Sequence, residues 1–281
     1  MPTGDDLALR PKDGILALAG RRAALIFDMS ARVYKLRYAG SYLGIVWSVL
    51  GPLASALVTA TIFSFLIGGQ MGARYAAIPY GVFYFSAFSM WSLLSEVPTR
   101  CTTTIIEHAG IITKISFPTP ILPVVVLVTS LVNYAVFLAL AVVLMVIDRT
   151  PVSPHLYMLP VYFAIGAVLS VGVGYFLAAI GVFVRDIAQG MPILLNVLFF
   201  TVPITYSPDL LRQGAPKWAS TLLLDWNPLS RLAEGYRTSL VDIGAPIDTQ
   251  GLILLAVLAA AVLGAGYASF RALQPAFADV L

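Results

Sequence analysis

Tyr84, Phe88 and Trp91 fall at i, i+4 and i+7 in a nearly uncharged stretch, so a helix there carries three rings on one side. A row of ring faces can stack on the C–H faces of sugars without fixing a chain in register, which favours sliding over tight capture. Tyr42 and Trp47 lie just upstream and belong to the same aromatic group. The competing reading places these rings against lipid or in an interfacial belt. No catalytic set accompanies them. The histidines His108 and His155 have no Cys, Asp or Glu at a spacing that builds a metal site. Walker A, GxSxG and HExxH patterns are absent, so no catalytic residue, metal ligand or cofactor is assigned to this chain. The lone cysteine, Cys101, excludes internal disulfides and reads as buried apolar filler.

The elements that must position the stripe are set by composition. With 59% hydrophobic and 11% charged residues, against roughly 25% charged in a soluble domain, the chain cannot cover a water-soluble fold. A mean hydropathy of +0.89 points the same way. A crossing needs about 20 apolar residues, and six runs qualify: 43–67, 76–97 with a continuation through 102–106, 121–147, 156–184, 187–207 and 251–270. The fold class is therefore an all-α polytopic membrane protein of six transmembrane helices. Its 281 residues are filled by spans and modest loops, leaving no room for a nucleotide-binding domain. The N-terminal stretch carries Asp5, Asp6, Asp13 and Asp28 and no apolar signal core, so it is expected to be retained.

Net charge is +3, but the basic residues flank apolar runs instead of covering a soluble face, which argues for topology signals and against nucleic acid. Of the 17 Lys and Arg, eleven fall on the side of the N-terminus and six on the other, which places both termini in the cytoplasm. Residues 1–37 form a cytoplasmic tail and an interfacial helix, with Leu25, Met29, Val33 and Leu36 on one face and Arg21, Asp28, Arg32 and Lys35 on another; residues 38–281 form the transmembrane domain. Pro192, Asn196 and Pro203 predict a kinked fifth span packed inside the protein. The segment 208–250 holds two short apolar pieces, 218–224 and 229–240, broken at Asn227 and Pro228. These predict re-entrant outer helices between spans 5 and 6, against the alternative of two surface helices in an external loop.

Glu96 is the one carboxylate within a span; a polar contact and proton carriage are its two readings. Span centres empty of charge imply that energy for any transport comes from a partner gripping the cytoplasmic surface. The loop IIEHAGIITKISFPTP, 105–120, is the place for that grip, or else a plain hairpin connection.

Four pieces in order, KLRYAGSYLGIVWSVLGPL (35–53), ITKISFPTPILP (112–123), VRDIAQGMPILLNVLFFTVPITYSP (184–208) and NPLSRLAEGYRTSL (227–240), resemble the ABC-2 type permease subunit of bacterial exporters for O-antigen, capsular polysaccharide and teichoic acid. The resemblance implies a homodimer working with two copies of a separate ATPase, which holds the ATP and Mg; this chain is then not an enzyme by itself. It implies that Glu107, His108 and Lys114 form the coupling contact, and that Arg32, Lys35 and Arg37 meet a lipid-linked diphosphate at the cytoplasmic mouth. Anchoring of those three to lipid head groups is the other reading. An outer gate is placed at Pro203, Tyr206, Asn227 and Pro228, where the chain breaks. The implied function is outward movement of a lipid-linked polysaccharide across the bacterial inner membrane. An ABC-2 exporter of a drug or small hydrophobe is the nearest alternative; a non-transport scaffold or lipid-modifying enzyme is the alternative of another class.

Overall fold

The structure is a computed structural model that describes residues 15–37, 46–112 and 118–280. Its helices in chain order are α1 (Ile15–Arg37), α2 (Val46–Ile67), α3 (Tyr80–Glu107), α4 (Ala109–Ile112), α5 (Leu122–Ile147) and α6 (Leu159–Gly181). There follow α7 (Ile187–Thr201), α8 (Pro208–Gly214), α9 (Lys217–Ser220), which runs into a π turn at Thr221–Asp225, α10 (Pro228–Leu240), α11 (Thr249–Leu273) and α12 (Phe277–Val280). Among the described residues there is no strand, only an isolated antiparallel bridge between Val152 and Val241.

Local sequence sets the helix starts. Proline stands in the first turn of α5, α6, α8 and α10, where its missing N–H costs nothing. Side-chain caps add to this: Ser207 accepts from the Leu210 N–H, Asn227 from Leu229 and Asp248 from Gly251.

Four helical stretches are long and apolar enough to cross a membrane: Val49–Gln70, Thr119–Ile147, Leu156–Gly181 and Thr249–Ala276. The apolar α7 is shorter, and α3 has the length without the hydropathy. The reason lies in a serine ladder. Ser86, Ser89, Ser92 and Ser95 each donate to the carbonyl three residues earlier, at 2.7–3.2 Å, so their hydroxyls are satisfied within the helix. A polar helix of this kind is tolerated because α3 sits at the centre, packed against α5 and α6, with its sides buried.

α6 in turn packs closely on α11. A methyl group added at Gly172 would lie 2.7 Å from the Leu263 backbone nitrogen, so the absence of a side chain is what lets the two backbones approach. At one end of the bundle Leu122, Val126, Ala178, Phe270 and Phe277 form a core on which Met29 of α1 packs. This matches the apolar face expected of the N-terminal helix, whose Asp28 and Arg32 are exposed. At the other end Met71, Tyr75, Phe83, Met145, Ile204 and Val241 form a second core.

α3 runs unbroken to Glu107, taking in the continuation through 102–106, which puts Arg100 inside the helix. One boundary differs from the sequence expectation. α7 stops at Thr201, because the Pro203 that follows cannot donate to a helix ladder, where the apolar run continued to Ser207.

Candidate functional site

The aromatic stripe lies on α3 where α2, α5 and α7 converge. Tyr84 and Phe88 stack on each other, ring centroids 5.1 Å apart and 18° between planes. Phe137 of α5 meets Phe88 edge-on at 4.8 Å, and Phe199 of α7 lies 5.7 Å from Trp91. The spacing i, i+4, i+7 thus delivers one face, as the sequence indicates. Tyr84 and Trp91 are only 1% and 6% exposed, so within one chain these rings already cover one another. Their free edges border two cavities. One, of about 290 Å³, is an open hollow between α2, α3 and α7, lined also by Ser55, Thr59, Pro192 and Asn196. The other, of about 370 Å³, is lined by Trp47, Pro52, Ser95, Glu96 and Asn133. Phe88 and Trp91 border both, so the two hollows adjoin along α3 with these rings between them, and together they make the α3 groove.

At the groove's polar end Glu96 accepts from the Arg100 guanidinium at 2.7 Å through one oxygen and from the Asn133 amide at 2.9 Å through the other. Arg100 also reaches Ser130 at 3.3 Å. Two charges one helical turn apart compensate each other, which makes a carboxylate at this depth affordable. The polar-contact reading of Glu96 is therefore seen directly, with partners that lay in different expected spans and a loop. Aromatic rings beside a hydrogen-bonded carboxylate and amide give this groove both apolar stacking surface and fixed acceptors and donors for hydroxyls.

A second cluster sits at the α10 end, and sequence reasoning missed its key residue. Arg237, counted there as an external-loop charge, is completely buried. Its guanidinium lies over the Phe83 ring, 3.6 Å from the centroid. It donates to the Phe83 carbonyl at 3.1 Å, to the Pro203 carbonyl at 2.8 Å and to Glu234. Tyr75 donates to the other Glu234 oxygen at 2.6 Å, and burial pushes its hydroxyl pKa up, keeping the donor protonated. The signal available in the sequence is a Glu and an Arg three residues apart on one helix face, Glu234 and Arg237.

The break after α7 is sealed by these and neighbouring side chains. Asn227 donates to the Thr201 carbonyl at 3.3 Å, Tyr206 to Phe200 at 3.2 Å and Tyr80 to Thr205 at 2.7 Å. The carbonyls that a helix end leaves unpaired thus find partners in protein, as an interrupted helix in an apolar medium requires. Pro203, Tyr206 and Asn227 are brought to one place, with Pro228 opening α10 beside them. α10 packs inward as well, its Tyr236 hydroxyl 2.5 Å from that of Tyr134, midway along α5.

Of the remaining expected site residues, Trp47 is 53% exposed at the groove and Arg32 is exposed on α1. Glu107 is exposed at the end of α3 and accepts from Thr103, and His108 Nδ1 lies 2.8 Å from the Thr104 carbonyl. Tyr42 and Lys114, and the side chains of Lys35 and Arg37, lie outside the described residues. Cys101 is fully buried against Gly174, matching its reading as filler.

Residues 25–241 match the ABC-2 type transporter family. The chain is 29% identical over 256 residues to an O-antigen export system permease protein from Myxococcus xanthus, covering 91% of this chain and 94% of that protein. It is 26% identical over 260 residues to the O-antigen export permease of Klebsiella pneumoniae, covering 92% and 95%. Similarity extends to the polysialic acid transport protein KpsM of Escherichia coli, at 23% over 250 residues, 87% of this chain and 92% of that protein. A helical bundle with four apolar, membrane-length helices, matched over most of its length, is a membrane protein of the ABC-2 type transporter family.

Proposed function

We propose that this chain is the permease subunit of an ATP-driven exporter that moves a lipid-linked polysaccharide, O-antigen or a capsular or teichoic-acid chain, outward across the bacterial inner membrane. The observation that carries this reading is the groove along α3, aromatic on one side and hydrogen-bonding at Glu96 and Asn133, in a chain similar over 91% and 87% of its length to permeases named for O-antigen and polysialic acid. ATP and Mg belong to a separate ATPase subunit, two copies of which serve a homodimer of this chain.

In this reading α2, α3, α5, α6, α7 and α11 cross the membrane, with both termini in the cytoplasm. α10, buried against α3, α6 and α11, is the deep element of a re-entrant outer segment. The apolar outer faces of α2 and α7, with Leu57, Val58, Phe65, Ile193 and Val197 exposed, meet the second copy and lipid. Arg32, Lys35 and Arg37 meet the carrier's diphosphate. The end of α3 with Glu107 and His108, α4, and Lys114 receive the ATPase. Closure of the ATPase pushes this end, α3 shifts against α2 and α7, and the groove opens so that sugar rings advance over Tyr84, Phe88 and Trp91. Pro203, Tyr206, Asn227 and Pro228 form the outer gate, where the α7 break is bridged to α10.

Deleting the gene tests the reading. Surface polysaccharide should disappear while a polyprenyl-linked glycan builds up in the cytoplasmic membrane. No change in either pool would overturn it and favour export of a small hydrophobic molecule.

A further inference from the structure

A separate cavity of about 260 Å³ opens at the α10 end, away from the α3 groove. A single buried water needs about 10–15 Å³, and drug-sized ligands occupy about 300–1,000 Å³, so the space suits a ligand of roughly one ring. Seven of the lining residues are charged; most are paired with one another, whereas Arg74 and Asp209, one of each sign, have no ion pair among the described residues. Arg212 pairs with Asp225 at 3.0 Å, and Arg231 lies 3.8 Å from Asp248 while donating to the Asp225 carbonyl at 2.8 and 3.0 Å. Glu234 is held from behind by Arg237 and Tyr75.

This pattern selects the ligand chemistry. A free anion would be drawn to Arg74 but repelled by Asp209, and a free cation the reverse, so the cavity favours neither sign. Among the described residues, no three His, Cys, Asp or Glu side chains stand close enough to hold a metal. Hydroxyl groups, which both donate and accept, can instead bridge the pairs without unbalancing them. Tyr162, Leu252 and Leu255 supply an apolar wall for a ring face. The Tyr162 ring reaches this position because Gly235 has no side chain: a methyl group there would occupy the ring's own space.

We propose that this cavity binds one neutral pyranose ring on the outer side of the membrane. The proposal rests on the exporter reading for its sidedness, though not for its chemistry. Glu234 gives it a route inward, because the carboxylate that lines the cavity also holds Arg237, which is bonded to the Pro203 carbonyl at the α7 break and to Phe83 beside the aromatic stripe.

The test uses the full chain with its ATPase in lipid nanodiscs and a panel of free sugars: glucose, galactose, mannose, rhamnose and N-acetylglucosamine. Saturation-transfer NMR should show transfer to at least one of them. In a chain carrying Trp91→Ala to silence the α3 groove, Ala245→Trp, which fills the cavity from a loop, should abolish it, and Asp209→Asn should weaken binding about tenfold, the effect of one charge-assisted hydrogen bond. No transfer to any sugar, or transfer that survives Ala245→Trp in the Trp91→Ala chain, would overturn the proposal. The source of the ring is read in cells. Shortened surface polysaccharide in Ala245→Trp assigns it to the exported chain, whereas unchanged length assigns it to free sugar outside. Failure of the exporter reading shows separately, as unchanged surface polysaccharide on gene deletion.

Discussion

Two Glu–Arg pairs lie inside this bundle, and they are built to different ends. In the pair of Glu234 and Arg237, three residues apart on α10, the arginine is sealed: Arg237 has no exposed surface and donates to two main-chain carbonyls as well as to Glu234, whose other side borders the outer cavity. Glu96 and Arg100, four apart on α3, are 19% and 12% exposed, and Glu96 lines a cavity beside Trp47 and Trp91. The first pair ties the broken end of α7 to α3 and α10. The second presents a carboxylate, already oriented by Arg100 and Asn133, to whatever occupies the groove. The full burial of Arg237 and the main-chain carbonyls it holds are what separate a lock from a contact surface.

Breaking the lock should cost most. Arg237→Met leaves the Glu234 charge and the Pro203 and Phe83 carbonyls without their donor, and should destabilise the folded chain by about 3–5 kcal/mol, seen as a lower melting temperature and loss of protein from the membrane. Glu96→Gln keeps the shape and should leave the melting temperature nearly unchanged while surface polysaccharide falls about tenfold, the effect of one charge-assisted hydrogen bond. A large loss of stability there would erase the distinction between the pairs. Tyr75→Phe removes a neutral donor to Glu234 and should cost about 1 kcal/mol, measured by the same thermal scan. Trp91→Ala should slow export about threefold through lost ring contact while ATPase association, measured by co-purification, is unaffected; unchanged export would remove the aromatic wall from the account.

Much of this was readable from the chain alone, because long uncharged runs and a 3.6-residue period are local properties. The apolar helices α2, α5, α6 and α11 and the ring stripe on α3 follow from them. So does the break near Pro203, since proline acts on its own neighbours. The continuation of α3 through 102–106 is legible in the same way, but the accommodation of Arg100 within it is not, because its partners, Glu96 one turn back and Ser130 thirty residues on, meet it only in the packed bundle. Arg237 was misread for the same reason: the carbonyls that hold it belong to residues 34 and 154 positions away. Apolar patterning reports which face is buried, whereas the compensation of a buried charge is a tertiary fact. That is why the groove's rings were legible from spacing and its carboxylate became interpretable only with Asn133 and Arg100 beside it.

A glycan that travels along the α3 groove must pass within reach of Phe88. The most direct measurement places a photo-crosslinking amino acid at Phe88 and, as a comparison, at Val257, which is exposed on the outer face of α11. Cells are irradiated while ATP hydrolysis by the partner is blocked, and the permease is probed for covalently attached glycan. Adducts at position 88 and none at 257 are the predicted result. Adducts at 257 with none at 88 would place the glycan outside the groove and contradict the account.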